Sequence, residues 1–116
     1  MEKRIFKKIN TMNQEDENLD TIRMAASLSL PNIGIILFGS RAGNNARSYS
    51  DYDLLIVVKD TMETTAKMRY KQLLRKILAK SGIMSDIFIE SEEEIKIKSQ
   101  LPGHIIKIAI NEGIRI

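Results

Sequence analysis

Two short apolar runs, each with polar residues at one end, constrain the fold of this 116-residue chain most strongly. The run at residues 33–38 leads directly into Gly39 and Ser40, and the run at residues 51–58 opens with Asp51 and Asp53. Aliphatic and β-branched stretches of this length, bounded by turn signals, are typical of buried strands. The pattern predicts two strands, one ending in a small-residue turn and the other beginning with two carboxylates.

The two acids of the second run, Asp51 and Asp53, are separated by one residue. Strand alternation places both carboxylates on one face, with their Cα atoms roughly 6 to 7 Å apart. At that separation they can converge on a cation, and carboxylate oxygens suit Mg²⁺, which takes further ligands from water and phosphates. Taken alone, two solvated acids at an exposed strand end would explain the pattern as well.

Gly39 and Ser40 end the first strand in a way that suits a phosphate. Glycine lacks a Cβ, so the backbone can approach an anion closely, while a serine hydroxyl and the N–H groups of a following helical turn can donate hydrogen bonds. Arg41 adds positive charge nearby. An ordinary strand-ending turn is the alternative for this dipeptide, but the two halves at this spacing favour a combined site for a phosphate and its cation.

A third acid, Asp86, lies within the apolar run at residues 83–89. This run is also expected to be a strand, with Asp86 in its middle. Burying an unpaired charge there would be costly, so a metal or another cationic partner is expected. A salt bridge to a lysine is the alternative.

The order of an apolar strand, Gly39-Ser40, a loop, and Asp51-x-Asp53 opening a second strand resembles the signature of the minimal nucleotidyltransferases of the DNA polymerase β superfamily. The likeness extends from about residue 33 to the C terminus. In that family a third carboxylate on a later strand completes the metal site, and Asp86 is the matching candidate.

The resemblance implies a two-metal nucleotidyl transfer with ATP as substrate. The implied catalytic residues and ligands of two Mg²⁺ ions are Asp51, Asp53 and Asp86. The implied nucleotide contacts are Gly39, Ser40, Arg41 and Ser50, with Arg47 as a further phosphate contact. The loop departs from the commonest family form, Gly-Ser-Arg-Ala-Arg-Gly, because residues 41–47 read RAGNNAR. No Gly-x-x-x-x-Gly-Lys-Ser/Thr stretch occurs, which excludes the other common phosphate loop.

A stand-alone chain this short resembles the antitoxin members of the family, which are paired with HEPN-domain ribonuclease toxins and transfer AMP from ATP to a toxin tyrosine. The resemblance therefore implies an antitoxin with a HEPN toxin as its partner. The residues alone lead only to metal-dependent transfer of a nucleotide to an acceptor hydroxyl. Two alternatives stay open: nucleotidylation of a small molecule such as an aminoglycoside, and a non-catalytic antitoxin that acts by binding.

Length and composition agree with a single domain over residues 1–116, in which residues 1–16 form a variable N-terminal extension. The hydrophobic content of 43% is ordinary for a globular core. The chain has no cysteine, which excludes disulfides and thiolate metal sites, and no apolar stretch approaches the ~20 residues that span a bilayer. The basic start lacks the apolar core of a signal peptide, so a cytoplasmic location is expected.

Helical patterns flank the predicted strands. A short helix is placed around Ile5, Phe6 and Ile9, and a second carries Leu19, Ile22, Ala26 and Leu30 and ends before Pro31. A long helix is predicted from a capping-box pattern at Asp60 and Glu63 to Gly82. Its buried face is expected to comprise Met62, Ala66, Tyr70, Leu73, Leu74, Ile77 and Leu78.

Two shorter helices are predicted after the strand that bears Asp86. The first opens with a capping box at Ser91 and Glu94 and runs to about Ser99. The second begins near Pro102, buries Ile105, Ile106, Ala109 and Ile110, and ends at Gly113. This order predicts an α/β fold of the nucleotidyltransferase type, with a small mixed sheet of three or four strands flanked by helices.

The long helix also carries basic residues on its outer side: Lys67, Arg69, Lys71, Arg75, Lys76 and Lys80. RNA or an acidic protein could meet such a face. A solvated face is favoured, and direct nucleic-acid binding is not expected, because the net charge is only +3 and few aromatic residues are interleaved. His104 is expected to be a surface residue at a helix end, and oligomer formation is left open.

Overall fold

Helices and strands follow one another along the chain in the predicted order. The computed structural model describes residues 14–43 and 50–116; the short helix predicted around Ile5, Phe6 and Ile9 lies outside them. The helices are α1 (Gln14–Ser29), α2 (Thr64–Lys80), α3 (Glu92–Lys98) and α4 (Ile105–Glu112). The strands are β1 (Gly34–Phe38), β2 (Tyr52–Val58), β3 (Ser85–Ser91) and β4 (Ile114–Arg115), and a 3-10 turn spans Gly39–Ala42.

The four strands form one mixed sheet in the order β3-β2-β1-β4. Strand β1 pairs antiparallel with β2 and β4, whereas β2 pairs in parallel with β3. The predicted mixed sheet of three or four strands is therefore confirmed. Strand β4 was not among the predicted strands, because a two-residue strand is too short to show a period in the sequence.

The sheet is covered on both faces. On one face, Leu54, Ile56 and Ile87 pack with the α1 residue Ile22 and the α2 residue Leu78. The opposite face carries a smaller cluster, which comprises Phe38, Leu55, Ile106 and Ala109. Strands buried on both faces read as nearly continuous apolar runs, and this explains the sequence of β2. No helix in the described ranges is both long and apolar enough to cross a membrane.

The long helix α2 differs from its prediction at its start. It begins at Thr64 with Glu63 as N-cap, and no side chain caps it, so the capping box at Asp60 and Glu63 was wrong. The Thr61 hydroxyl is instead within 2.7 Å of the Ser91 hydroxyl at the end of β3. This tertiary contact holds the connection in a turn where a local pattern favoured a helix.

The buried face of α2 is also narrower than predicted. Leu74 and Leu78 are buried, but Leu73 and Ile77 are 48% and 37% exposed. Strand β3 is the outermost strand on that side of the sheet, so no further strand among the described residues lies there for this flank of α2 to cover. The helical period alone could not show where the sheet ends.

Some predictions for the two C-terminal helices are confirmed and others are wrong. The capping box of Ser91 and Glu94 is confirmed, and Gly113 is the C-cap of α4. The start near Pro102 was wrong, because a turn hydrogen bond from the His104 N–H to the Leu101 carbonyl precedes the helix. His104 then caps α4, its Nδ1 accepting from the Ile106 N–H at 3.1 Å.

The buried stripe predicted for α4 is wrong at two of its four positions. Ile106 and Ala109 are buried, whereas Ile105 and Ile110 are 42% and 39% exposed. A short helix that packs against one sheet face can bury only the side that meets the sheet, and the sequence IIKIAI is apolar on more than that side.

A half-buried network of ion pairs joins α2, β3 and α3. Lys67 contacts Glu94 at 2.5 Å, and Lys98 contacts Glu90 at 2.7 Å. The prediction of a solvated basic face was therefore wrong for Lys67. Burial raises the pKa of Glu94, but the hydrogen bonds from Lys67 and from the Ser91 N–H outweigh burial and leave this pKa below its ordinary value.

Ser91 is the polar residue on which this junction depends most, because it is fully buried, caps α3 and contacts Thr61. We predict that Ser91→Ala lowers the free energy of unfolding by about 1 to 2 kcal/mol, the upper range for loss of an N-cap. Urea unfolding followed by circular dichroism measures the change. Ser81→Ala, at an exposed helix end, is the matched control; equal losses in the two variants would contradict the assigned role.

Candidate active site

The parallel pairing of β2 with β3 brings two of the predicted acids together. Asp53 and Asp86 are direct partners in the register, so they lie on the same sheet face on strands ~4.8 Å apart. Asp51 immediately precedes β2. Asp51 and Asp86 are exposed, and Asp53 is half-buried. The three carboxylates thus occupy one corner of the sheet, at the start of two neighbouring strands.

Asp86 does not lie in the middle of a buried strand, as its sequence context predicted. It is the second residue of β3 and is exposed, so the argument from a costly buried charge was wrong. Strand β3 is the outer strand here, and Asp86 lies on the sheet face opposite that of its buried neighbour Ser85. No ion pair between Asp86 and a lysine occurs among the described residues.

Gly39 lies directly against the carboxylate of Asp53. The register of β1 and β2 pairs Phe38 with Asp53, and Gly39 follows at the start of the 3-10 turn with φ of +71°. A Cβ built at this position would collide with Asp53 Oδ2 and lie 3.0 Å from its Cγ. The turn, in which Ser40 is exposed, therefore adjoins the acidic corner, and glycine is required there for space as well as for backbone conformation.

Arg41 joins the two ends of the loop between the motif halves. Its Nε and Nη2 donate to the Ser50 carbonyl oxygen at 3.0 and 2.9 Å. Its guanidinium carbon lies 4.4 Å from the ring centroid of Tyr52. Phosphate contacts by Arg41 and Ser50 stay a prediction, and Arg47 lies outside the described residues.

Tyr52 and Asn18 are site-supporting residues that the sequence reasoning missed. Tyr52 is buried, and its hydroxyl accepts a hydrogen bond from Asn18 Nδ2 at 3.1 Å. As the middle residue of Asp-x-Asp, Tyr52 must point away from both acids, and a buried tyrosine hydroxyl needs a partner. That alternation was a usable signal for Tyr52, whereas nothing local pointed to Asn18.

The acidic corner is electrostatically strained. Partial burial, then the charges of Asp86 and Asp51, raise the pKa of Asp53 above its ordinary value of 3.8. Within residues 14–43 and 50–116, no three His, Cys, Asp or Glu side chains are grouped closely enough to hold a metal ion. The donor chemistry nevertheless fits a hard divalent cation, because all three groups are carboxylates and their mutual repulsion is what such a cation would relieve.

We predict that Gly39→Ala displaces the Asp53 carboxylate and destabilises the fold by roughly 1 to 2 kcal/mol through its positive φ. Gly82→Ala is the matched control, because Gly82 has a φ of +77° with open space around it. Both variants should lose similar stability in thermal unfolding, but only Gly39→Ala should lose nucleotide binding, measured by calorimetry. Equal loss of binding would show that backbone strain alone is responsible.

The raised pKa of Asp53 predicts a pH-dependent cost to stability. As pH rises above 3.8, the unfolded chain ionises Asp53 more readily than the folded chain does, so stability falls until the folded carboxyl also ionises, and the loss then persists. At pH 7 in EDTA, Asp53→Asn should therefore stabilise the protein by roughly 0.2 to 1 kcal/mol, the range for partly exposed charges. The gain should vanish below pH 3.8, and thermal unfolding across this pH range measures it.

Comparisons with solved structures give the same fold. A protein described as a minimal nucleotidyltransferase aligns with a TM-score of 0.58 at 23% identity, over 91% of this chain and 99% of that chain. A complex of a tri-AMPylated Shewanella oneidensis HEPN toxin with its MNT antitoxin gives a TM-score of 0.54 at 19% identity, over 88% and 71%. A toxin–antitoxin structure with AMP-PNP gives 0.53 at 18%, over 89% and 72%.

Sequence comparison places the chain in a family. A search of curated protein sequences found no significant match. A family model described as polymerase beta, nucleotidyltransferase matches residues 29–116, which include β1, the turn at Gly39, and the strands next to all three acids. This chain belongs to the polymerase β nucleotidyltransferase family.

Proposed function

We propose that this protein is an Mg²⁺-dependent antitoxin that transfers AMP from ATP to a tyrosine hydroxyl of a HEPN-domain toxin. The observation that carries the proposal is the convergence of the Gly39 turn with Asp53 and its register partner Asp86. A phosphate-binding turn and a set of carboxylates at one sheet corner are the two parts that a triphosphate and its metal ions need.

The 3-10 turn is suited to hold the β- and γ-phosphates. Gly39 lets the backbone approach closely, and the exposed Ser40 hydroxyl can donate to a phosphate oxygen. Arg41 has a positioning role in this proposal, because its bonds to the Ser50 carbonyl keep the two motif halves together. A charged side chain so close to the turn also favours an anion.

The residues that would hold Mg²⁺ are Asp51, Asp53 and Asp86. Bound Mg²⁺ would neutralise the triphosphate and stabilise charge on the attacking and leaving oxygens. Asp53 is anchored by the sheet between Gly39 and Asp86, whereas Asp51 and Asp86 are exposed at its sides. Solvent exposure leaves both of these carboxylates open to an incoming hydroxyl, and in this proposal Asp86, on the outer strand, receives the hydroxyl proton.

The acceptor in this proposal is a tyrosine of a protein, and Asp86 lies on the outer strand of the described sheet. A tyrosine on a protein surface can approach there. In the transfer, the tyrosine oxygen bonds to the α-phosphorus of ATP. The bond between that phosphorus and the oxygen that bridges the α- and β-phosphates breaks, and pyrophosphate leaves. The tri-AMPylated HEPN toxin and the toxin–antitoxin structure with AMP-PNP support both the acceptor class and the nucleotide.

The test is to incubate the protein with ATP, Mg²⁺ and its candidate HEPN partner and to weigh the partner by mass spectrometry. Asp51→Asn with Asp53→Asn should reduce the adenylate adduct by roughly 10²-fold or more, because the charges that organise the transfer are lost. Asp60→Asn, exposed beyond the other end of β2, is the control and should retain the adduct.

Two other outcomes would identify the alternative functions. A tight complex that gains no adduct with ATP or another nucleoside triphosphate would contradict the enzymatic proposal and favour an antitoxin that acts by binding. Nucleotide transfer to an aminoglycoside, with none to the protein, would instead indicate a small-molecule enzyme. Removal of Mg²⁺ by EDTA should abolish any transfer without dissociating a protein complex.

A further inference from the structure

A cavity lies between α2 and the beginning of β3, beside the acidic corner. Its volume is about 520 Å³. Part of its lining comes from one side of α2: Arg69, Gln72, Leu73, Arg75, Lys76 and Ala79. The rest is Ile83, Met84 and Ser85, which lead into β3. None of these residues takes part in the nucleotide site described above.

The cavity has a strong positive charge. Arg69, Arg75 and Lys76 line it, and no lining residue is acidic. Among the described residues, none of these three cations forms an ion pair, in contrast to Lys67 on the same helix. Three unneutralised cations around one cavity favour an anionic ligand.

Ser85 is an independent observation that points to a ligand at this cavity. It lines the cavity and is only 7% exposed, yet its Oγ is the one buried side-chain polar atom without a hydrogen-bond partner in the described chain. Leaving a buried hydroxyl unsatisfied costs roughly 1 to 3 kcal/mol. A ligand group that bonds to this hydroxyl would remove that cost.

The remaining lining favours a polypeptide over RNA. Leu73 and Met84 are 48% and 59% exposed beside the cations, and no lining residue is aromatic, so bases would find no stacking surface. Strand β3 is the outer strand of the described sheet, which suits an extended segment with alternating side chains. Such a segment could direct acidic groups to the cations and apolar groups to Leu73 and Met84.

We propose that this cavity binds an acidic, extended segment of the acceptor protein and holds it next to Asp86. Ser85 immediately precedes Asp86 in β3, and side-chain alternation directs the two residues to opposite faces. A segment that follows the free edge of β3 in the described sheet from Ser85 therefore passes from the face that carries the cavity to the face that carries the Asp86 carboxylate, one residue further along the strand. The identity of the acceptor rests on the proposed function, whereas the binding of an acidic segment at this cavity does not.

Binding can be measured without catalysis. The probe is a fluorescein-labelled peptide of alternating Glu and Leu, titrated with the full chain in EDTA and followed by fluorescence anisotropy. We expect saturable binding that weakens as salt rises, because the contact is between unlike charges. A peptide with Lys in place of each Glu should not bind. No binding of the acidic peptide would overturn the proposal.

Arg69→Glu combined with Lys76→Glu tests the location of the site. Loss of two charge-assisted contacts should weaken binding by at least roughly tenfold. The matched control is Lys96→Glu with Lys107→Glu, which changes the net charge equally at exposed positions on α3 and α4. Equal weakening in both pairs would show non-specific charge attraction and overturn the proposal.

Ser85→Ala separates a binding role from a structural one. Removing an unsatisfied buried hydroxyl should leave the melting temperature unchanged or raise it, while peptide affinity falls by several-fold. Unchanged affinity would overturn the role assigned to Ser85. Tighter binding of a single-stranded RNA than of the peptide, weakened by Arg69→Glu with Lys76→Glu, would assign the cavity to RNA and overturn the proposal.

Failure of the proposed function is distinguishable from failure of this inference. If AMP transfer to the HEPN partner occurs, Arg69→Glu with Lys76→Glu should raise the KM for the partner and leave the KM for ATP unchanged. If peptide binding is confirmed but the protein transfers no AMP, the proposed binding site is retained and the enzymatic proposal fails. If AMP transfer occurs and the double variant has the same KM for the partner as the unaltered protein, the docking role of the cavity is overturned, but the enzymatic proposal is not.

Discussion

The parallel pairing of β2 with β3 is the constraint on which the rest of the structure depends. It makes Asp53 and Asp86 register partners, although 32 residues separate them in the sequence. Helix α2 is the connection that a parallel pair requires, and Leu74 and Leu78 bury its inner side against the sheet. The acidic corner is therefore a consequence of core packing, since the apolar residues of the strands determine which polar residues meet at their ends.

Several features of the acidic corner lower the stability of the folded chain. Gly39 leaves room for the Asp53 carboxylate, and partial burial and two neighbouring acids raise its pKa. These features cost free energy in the isolated chain, and a cation or a nucleotide complex would recover it. Elsewhere, the network of Lys67, Glu90 and Glu94 joins α2 to β3 and α3.

Local chemistry made much of the fold and the candidate site predictable. The apolar runs of β1, β2 and β3 and the capping box at Ser91 were recognisable because each depends on neighbours a few residues away. The failures share a different cause. The start of α2, the exposure of Leu73 and the exposure of Asp86 depend on where the sheet ends and on contacts between distant segments, such as that of Thr61 with Ser91.

The sequence by itself determined the parts of this protein: an α/β alternation, a glycine-serine turn, three acids on or beside strands, and the family to which these belong. Only the tertiary structure decided how the parts meet. Strand register aligned Asp53 with Asp86, the close approach of β1 placed Gly39 against Asp53, and the outer position of β3 opened the basic cavity beside Ser85. The physical reason is that side-chain period is a local property, whereas register and sheet edges follow from burying the whole core at once.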